Sequence, residues 1–306
     1  MPSKDKIVVI AGPTGVGKSA STLPLAREFG GEIISADAVS VYRCLDIGAA
    51  KPGMEDRRLV PHHMIDVVDP DEDFDANIFA AQARAIAQSL HESGKRVFVD
   101  GGTGFYIKAL LHGLFTQGRS DPELRESLRR EAAQLGSHAL HDRLKELDPP
   151  SAKRIHPNDA YRITRALEIC ILTGKPASAQ QAAHGFEESP YDVLFFCLHR
   201  EREILYQRTD QRVDQMLAMG LEQEVRGLLK NGYGPELKSM QSIGYRHMCQ
   251  YITGALNYED AVTLMKRDTR RLAKRQMTWF KAYPEIRWMA PDETEAMRRE
   301  ISLFLE

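Results

Sequence analysis

Apolar positions early in this chain fall in short unbroken runs, and between and after those runs they recur at helical spacing. Lys6–Ala11 (KIVVIA) is a β-branched run closed by Gly12 and Pro13, the pattern of a buried strand. A helical stretch follows from Lys18 to Phe29 and stops at Gly30-Gly31. Glu32–Ser35 predicts a second strand ending near Asp37, and Arg96–Val99 a third ending at Asp100. Between them, Asn77–Ser93 is an alanine-rich helix stopped by Gly94. Alternation of this kind predicts a parallel sheet with helices on both faces.

The pattern changes near residue 119. Asp121 and Pro122 open a charged helix running to Lys145, with Asp121 as its N-cap. Asp148-Pro149-Pro150 ends it, and a further helix spans Asn158–Thr173 up to Gly174. Lys175–Pro190 is polar and reads as a mobile loop, after which Val193–Leu198 (VLFFCL) returns to a buried strand. Residues 119–192 are therefore expected to form a helical insertion domain, with 1–118 and 193–306 making up an α/β core with a helical C-terminal part.

Composition narrows the class. The 306 residues are 42% hydrophobic and 27% charged, which excludes disordered and fibrous chains. No apolar run approaches the roughly 18 residues of a membrane span, and Ile7–Ala11 is too short for a signal peptide, so no membrane association is expected. Four scattered cysteines without a CxxC pair fit a reducing compartment, and a cytoplasmic location is expected. A formal charge of −2 provides no global pull toward nucleic acid, so any such contact must be local.

The chemistry concentrates at a few places. Gly12-Pro13-Thr14-Gly15-Val16-Gly17-Lys18-Ser19 matches GxxxxGK[ST] between a predicted strand and a predicted helix. Backbone amides there can surround phosphate oxygens, Lys18 adds a full charge, and the Ser19 hydroxyl can ligate Mg²⁺. Asp37, at the end of the second strand, could accept a proton at the same sheet edge or simply cap a turn. Asp100 occupies the position of a Mg²⁺-organising carboxylate and leads into Gly101-Gly102-Thr103-Gly104. His62-His63 point apart in an extended chain and suit packing better than metal binding.

Between Lys266 and Lys281 seven Lys/Arg oppose one acid, Asp268, and Arg267, Arg271, Lys274, Thr278 and Lys281 share a helix face. That face suits a phosphate backbone or plain solvent. Smaller basic sets are Tyr161, Arg162 and Arg165, then Ser242–Arg246. Arg208 and Arg212 lie four residues apart, with Arg212 able to reach an anion or an exposed salt-bridge partner. The residues leave open a small-molecule kinase, a nucleotide-switch or RNA-binding module, and a transferase acting on free adenine nucleotide.

Read in order, GPTGVGKS, SADAVSVYRCLDIGAAKP (35–52), HHMIDVVDP (62–70), VDGGTGFY (99–106), NDAYRITRALEI (158–169), RVDQMLAMGL (212–221), SIGYR (242–246) and LAKRQMTWF (272–280) resemble the bacterial tRNA dimethylallyltransferases, also called tRNA isopentenyltransferases. The similarity runs from residue 6 to about residue 281. The resemblance implies a P-loop NTPase-like α/β core and transfer of a dimethylallyl group from dimethylallyl diphosphate to the exocyclic N6 amine of the adenine 3′ to the anticodon. It implies Asp37, Thr103, Lys18 and Arg212 as catalytic residues, Gly12–Ser19 as the diphosphate loop, and Mg²⁺ on Ser19. It implies a tRNA anticodon stem-loop as partner; nothing in the sequence demands a dimer, and a monomer is expected. RNA contacts are then expected from Asp37, Ala38, Val39, Ser40, Thr103 and Arg125. They are also expected from Tyr161, Arg162, Ile163, Thr164 and Arg165, and from Ser242, Ile243, Gly244, Tyr245 and Arg246. The final set is Lys274, Arg275, Gln276, Met277, Thr278, Trp279, Phe280 and Lys281. Two departures stand out: GVGKS replaces the ASGKT of many members, and Ala38-Val39-Ser40 replaces Ser, a variable residue and Gln. The zinc finger of eukaryotic members has no counterpart after Cys249.

Overall fold

The computed structural model describes residues 4–114, 121–184 and 190–306. The chain begins with β1 (Asp5–Ala11), α1 (Lys18–Glu28) and β2 (Gly31–Ser35). It continues through α2 (Met54–Leu59), β3 (His62–His63), α3 (Ala76–Glu92), β4 (Arg96–Gly101) and α4 (Gly104–His112). Five helices follow: α5 (Pro122–Leu135), α6 (Ser137–Leu147), α7 (Pro149–Arg154), α8 (Ala160–Thr173) and α9 (Ala177–His184). Then come β5 (Tyr191–Leu198), α10 (Arg202–Ala218), α11 (Leu221–Lys230), α12 (Tyr245–Ile252), α13 (Tyr258–Phe280), β6 (Arg287–Met289) and α14 (Thr294–Leu305).

Two compact units result. One is Met1–Leu111 with Ser189–Glu306, the other His112–Glu188. The expected boundary at 118/119 lies outside the described residues. At the other boundary the strand begins at Tyr191, before the expected 193.

The first unit holds a six-stranded sheet, order β3-β2-β4-β1-β5-β6, and every pairing is parallel. Val8 and Ile10 of β1 join a core with Leu25 of α1 and Ile301 of α14, while the alternate residues Ile7 and Val9 are also fully buried. A strand covered on both faces needs such a continuous apolar run. Register sets the functional edge: Ala11 pairs with Gly101, and Ser35 with Asp100. The strand ends that carry the phosphate loop, Asp37 and Asp100 therefore lie level, at the carboxyl edge where open α/β sheets bind ligands. The short strands β3 and β6 were not expected from the sequence; two or three residues are too few to show a period.

The second unit is helical around Leu128, Leu144, Ile163 and Leu167. Asp121 caps α5, accepting from the amides of Glu123 and Leu124. Two expectations are corrected here. The single helix read over 121–145 is broken at Gly136, whose φ of +83° ends α5 and starts α6. The stretch read as a loop from Lys175 contains α9, anchored by Ser178, whose amide donates to Asp148 Oδ2 at 2.8 Å. A long-range cap of that kind has no signature in local sequence; residues 185–189 of the expected loop lie outside the described residues.

Candidate active site

The phosphate loop leaves β1 and enters α1 through Gly17, which takes the left-handed conformation at φ 111° as the N-cap. A side chain there would be strained, and glycine is the residue that adopts it freely. Two arginines hold the loop from outside by its carbonyls. Arg208 Nε donates to Gly15 O at 2.8 Å, and Arg200 Nε to Val16 O at 3.0 Å. Anchored this way, the loop peptides are fixed by their oxygens, which leaves amides to meet an anion. Arg200 escaped the sequence reading because it falls in no motif with the loop.

Lys18 Nζ donates to Pro13 O at 3.2 Å and faces Asp100, Asp37 and Arg212. Burial lowers its pKa, with Asp100 opposing and Arg212 reinforcing that shift. Arg212 is likewise lowered by burial, against the attraction of Asp37. It is half-buried and forms no ion pair among the described residues. An unneutralised cation of this sort is costly unless an anion joins it.

Asp37 and Thr103 are locked together through backbone. Asp37 Oδ1 accepts from the amides of Val39 (2.8 Å) and Ser40 (3.1 Å). Thr103 Oγ1 accepts from Ala38 N at 3.1 Å, and Thr103 N donates to Ala36 O at 3.1 Å. The turn-capping role considered for Asp37 is thus real, yet it uses one carboxylate oxygen. The other is left for a ligand.

Asp100 is the most perturbed acid of the cleft. Burial pushes its carboxyl up to about 6, Lys18 opposes, and Asp37 adds to the rise. Its Oδ1 is buried with no hydrogen-bond partner, and Ser19 lies beside the same carboxylate. A hard cation with oxygen ligands suits an orphaned carboxylate oxygen next to a hydroxyl, so these residues fit the Mg²⁺ expected at Ser19. Among the described residues no group of three or more His, Cys, Asp or Glu gathers as for a metal site. His62 and His63 bond instead to Val60 O and Glu32.

These groups open on a cleft of about 790 Å³ in the first unit. One face of α10 lines it, from Arg208 and Arg212 at the loop to Met216, with Met219 just past the helix end. Residues between Asp46 and Asp66 also line it. Lys51 is buried and ion-paired to Asp46 (2.7 Å) and Asp66 (2.5 Å), and Arg57 reaches Asp66 at 2.8 Å. Cys44, Ala50, Met64 and Asp66 all have positive φ, a concentration of strain found at binding sites. From α11, Glu224 accepts from the amides of Asp46, Ile47 and Gly48 and from Tyr245 Oη. The three amides lie nearly 180 residues from Glu224, so no spacing could reveal them.

Several expected RNA contacts are placed otherwise. Tyr245, Phe280 and Ile163 are fully buried, and Thr164 and Ser40 nearly so; these side chains belong to the interior. Tyr245 donates to Glu224 at 2.6 Å rather than facing outward. Arg125 and Arg165 both bind Glu168, which is fully buried. Arg246 is paired with Asp268, as are Arg267 and Arg271, while Lys266 and Arg270 pair with Asp214 and Asp210 of α10. The basic stripe is thus neutralised over its first half. Lys274, Arg275 and Lys281 remain exposed with no ion pair among the described residues, and Tyr161 and Arg162 are exposed on α8. Gln276 turns inward: its Oε1 accepts from Thr14 N and its Nε2 donates to Gly102 O, both at 2.9 Å.

With this geometry, the chain matches the family model "IPP transferase" over residues 40–283 and "Isopentenyl transferase" over 5–66. It is 97% identical over all 306 residues to a tRNA dimethylallyltransferase of Desulfatibacillum aliphaticivorans, covering 100% of both. It is 53% identical to that of Desulfosudis oleivorans, covering 97% of this chain and 94% of the relative. Among solved structures, the tRNA isopentenylpyrophosphate transferase of Bacillus halodurans superposes with TM-score 0.74 at 38% identity, over 99% of this chain and 97% of that one. A eukaryotic dimethylallyltransferase acting on tRNA gives TM-score 0.79 at 32% identity, over 94% and 74%.

Proposed function

The chain belongs to the IPP transferase family, and on that footing we propose that its cleft transfers a dimethylallyl group from dimethylallyl diphosphate to a tRNA adenine. One observation carries this reading: the phosphate loop, the unpaired Arg212 and the loop-anchored Asp37 converge on a single cleft.

The diphosphate of the donor lies in the Gly12–Ser19 loop. Lys18, Arg212 and the loop amides take up the charge that develops as the carbon–oxygen bond breaks. Asp37 uses the oxygen not committed to Val39 and Ser40 to accept a hydrogen bond, and then the proton, from the exocyclic N6 amine. A nitrogen–carbon bond forms, a carbon–oxygen bond breaks, the proton goes to Asp37 and diphosphate leaves. Thr103 holds the base edge. Ser19 and Asp100 would hold Mg²⁺, which supplies charge compensation for the leaving diphosphate. An adenine amine is a weak nucleophile, so positioning contributes most of the acceleration.

The acceptor we propose is the adenine 3′ to the anticodon, extruded from its loop stack. Exposed Lys274, Arg275 and Lys281 suit an RNA backbone better than a free nucleotide, which needs no such surface. No helix among the described residues is long and apolar enough to cross a membrane. Four free cysteines and a tRNA substrate support action in the cytoplasm, and a cleft complete within one unit of one chain supports action as a monomer.

The test is mass spectrometry of an anticodon stem-loop incubated with protein, Mg²⁺ and dimethylallyl diphosphate. The expected result is the mass of one prenyl group in place of a hydrogen on that adenine. No mass gain contradicts the reading, and equal turnover of adenosine monophosphate would move the acceptor to free nucleotide.

A further inference from the structure

Gln276 sits in the basic segment of α13, beside the exposed Lys274 and Arg275, yet both ends of its carboxamide engage two distant loops. Its acceptor oxygen takes the amide of Thr14, on the phosphate loop, and its donor nitrogen meets the carbonyl of Gly102, in the turn that follows Asp100 and precedes Thr103. The fit is close on the Gly102 side. A Cβ there would come within 2.4 Å of Gln276 Nε2, so only glycine lets the carboxamide reach the backbone. One turn along the same helix, Trp279 packs on Gly104, where a Cβ would lie 2.2 Å from its ring. The inner face of α13 is thus pinned to the glycine turn at two points.

We propose that Gln276 is a positioning residue: a two-ended strap that fixes the distance between the loop gripping the leaving diphosphate and the turn presenting the acceptor-side Thr103. This rests on the function proposed above and deepens it. The phosphate loop is otherwise held by Arg208 and Arg200, which fix it through the carbonyls of Gly15 and Val16 but place no restraint on Thr14 N. Only a side chain that both donates and accepts can join an amide to a carbonyl; glutamine does so without charge next to Lys18 and Asp100. Because the strap springs from the helix whose outer face carries Lys274, Arg275 and Lys281, an RNA backbone bound outside is mechanically continuous with the diphosphate loop inside.

Two measurements separate this role from a direct RNA contact. Inorganic diphosphate affinity, read by calorimetry on protein without RNA, tests the strap even if prenyl transfer were to fail. Turnover and stem-loop affinity test its consequence. Gln276→Met keeps the volume and removes both hydrogen bonds. It is expected to weaken diphosphate roughly tenfold, the effect of losing a loop hydrogen bond, and to lower kcat by up to about 100-fold as the reacting groups lose register. The Kd for the stem-loop should stay within twofold, and Gln276→Glu, which keeps the Thr14 acceptor, should fall between. Gln276→Leu, which also removes both hydrogen bonds, should reproduce the loss of diphosphate affinity, a safeguard if Gln276→Met folds poorly. Unchanged diphosphate affinity with weakened RNA binding in the Gln276 variants would overturn the proposal and make Gln276 an RNA contact; unchanged values throughout would overturn it as well.

Discussion

Single residues divide the chemistry of the cleft by what their surroundings leave free. Asp37 commits one oxygen to Val39 and Ser40 and keeps the other. Asp37→Ala should therefore lower turnover by roughly two to four orders of magnitude while donor binding persists; single-turnover kinetics with near-normal rates would remove Asp37 from the role of base. Lys18 and Arg212 are both cations lowered by burial and both attracted by Asp37; in contrast to Asp37→Ala, Lys18→Met or Arg212→Met is expected to abolish measurable diphosphate binding in calorimetry. Lys18 and Ser19 were legible because their motif is contiguous, and Asp37 because it ends a strand. Lys51, Arg57, Asp66 and Glu224 were not, since their ion pairs and caps exist only once separate segments fold together.

At the scale of elements, α12 and α13 are joined through Asp268. Burial by itself would raise this carboxyl, but hydrogen bonds from Arg267, His247 and Arg246 prevail and hold it down to about 2, below its usual 3.8. A depressed folded-state pKa means stability that is complete above pH 4 and is lost as pH falls toward 2. Wild type should lose roughly 2 kcal/mol across that window, read as a fall in melting temperature. Asp268→Asn should melt lower at neutral pH and show a flatter acid limb, whereas an unaltered acid limb would detach Asp268 from the effect. The basic stripe of α13 was legible as a helix face with the right period. Its partial neutralisation was not, because Asp210 and Asp214 belong to a different helix and only packing of α10 against α13 brings them opposite Arg270 and Lys266. The same limit explains α9, which the polar sequence disguised as loop. It also explains the break at Gly136, where one glycine outweighed a continuous charged helical pattern.

For the molecule as a whole, a parallel sheet sets three strand ends level and thereby brings the phosphate loop, the Asp37 carboxylate and a glycine turn to one edge. That architecture was readable from strand–helix alternation and the phosphate loop, while the walls of the cleft came from long-range contacts. With a formal charge of −2, RNA must be gripped by local cations. Replacing Lys274 and Arg275 by Ala should weaken stem-loop binding and reduce its salt slope by about one unit per lost phosphate contact, with diphosphate affinity unaltered; an unchanged slope would place the RNA elsewhere. The central claim is that a loop familiar from phosphoryl transfer here holds a departing diphosphate. Dimethylallyl diphosphate carrying heavy oxygen at its ester bridge tests this directly. Cleavage between carbon and oxygen sends all of the label into the released diphosphate, which is the result predicted; label retained on the prenyl fragment, or phosphate appearing on the acceptor, would contradict it.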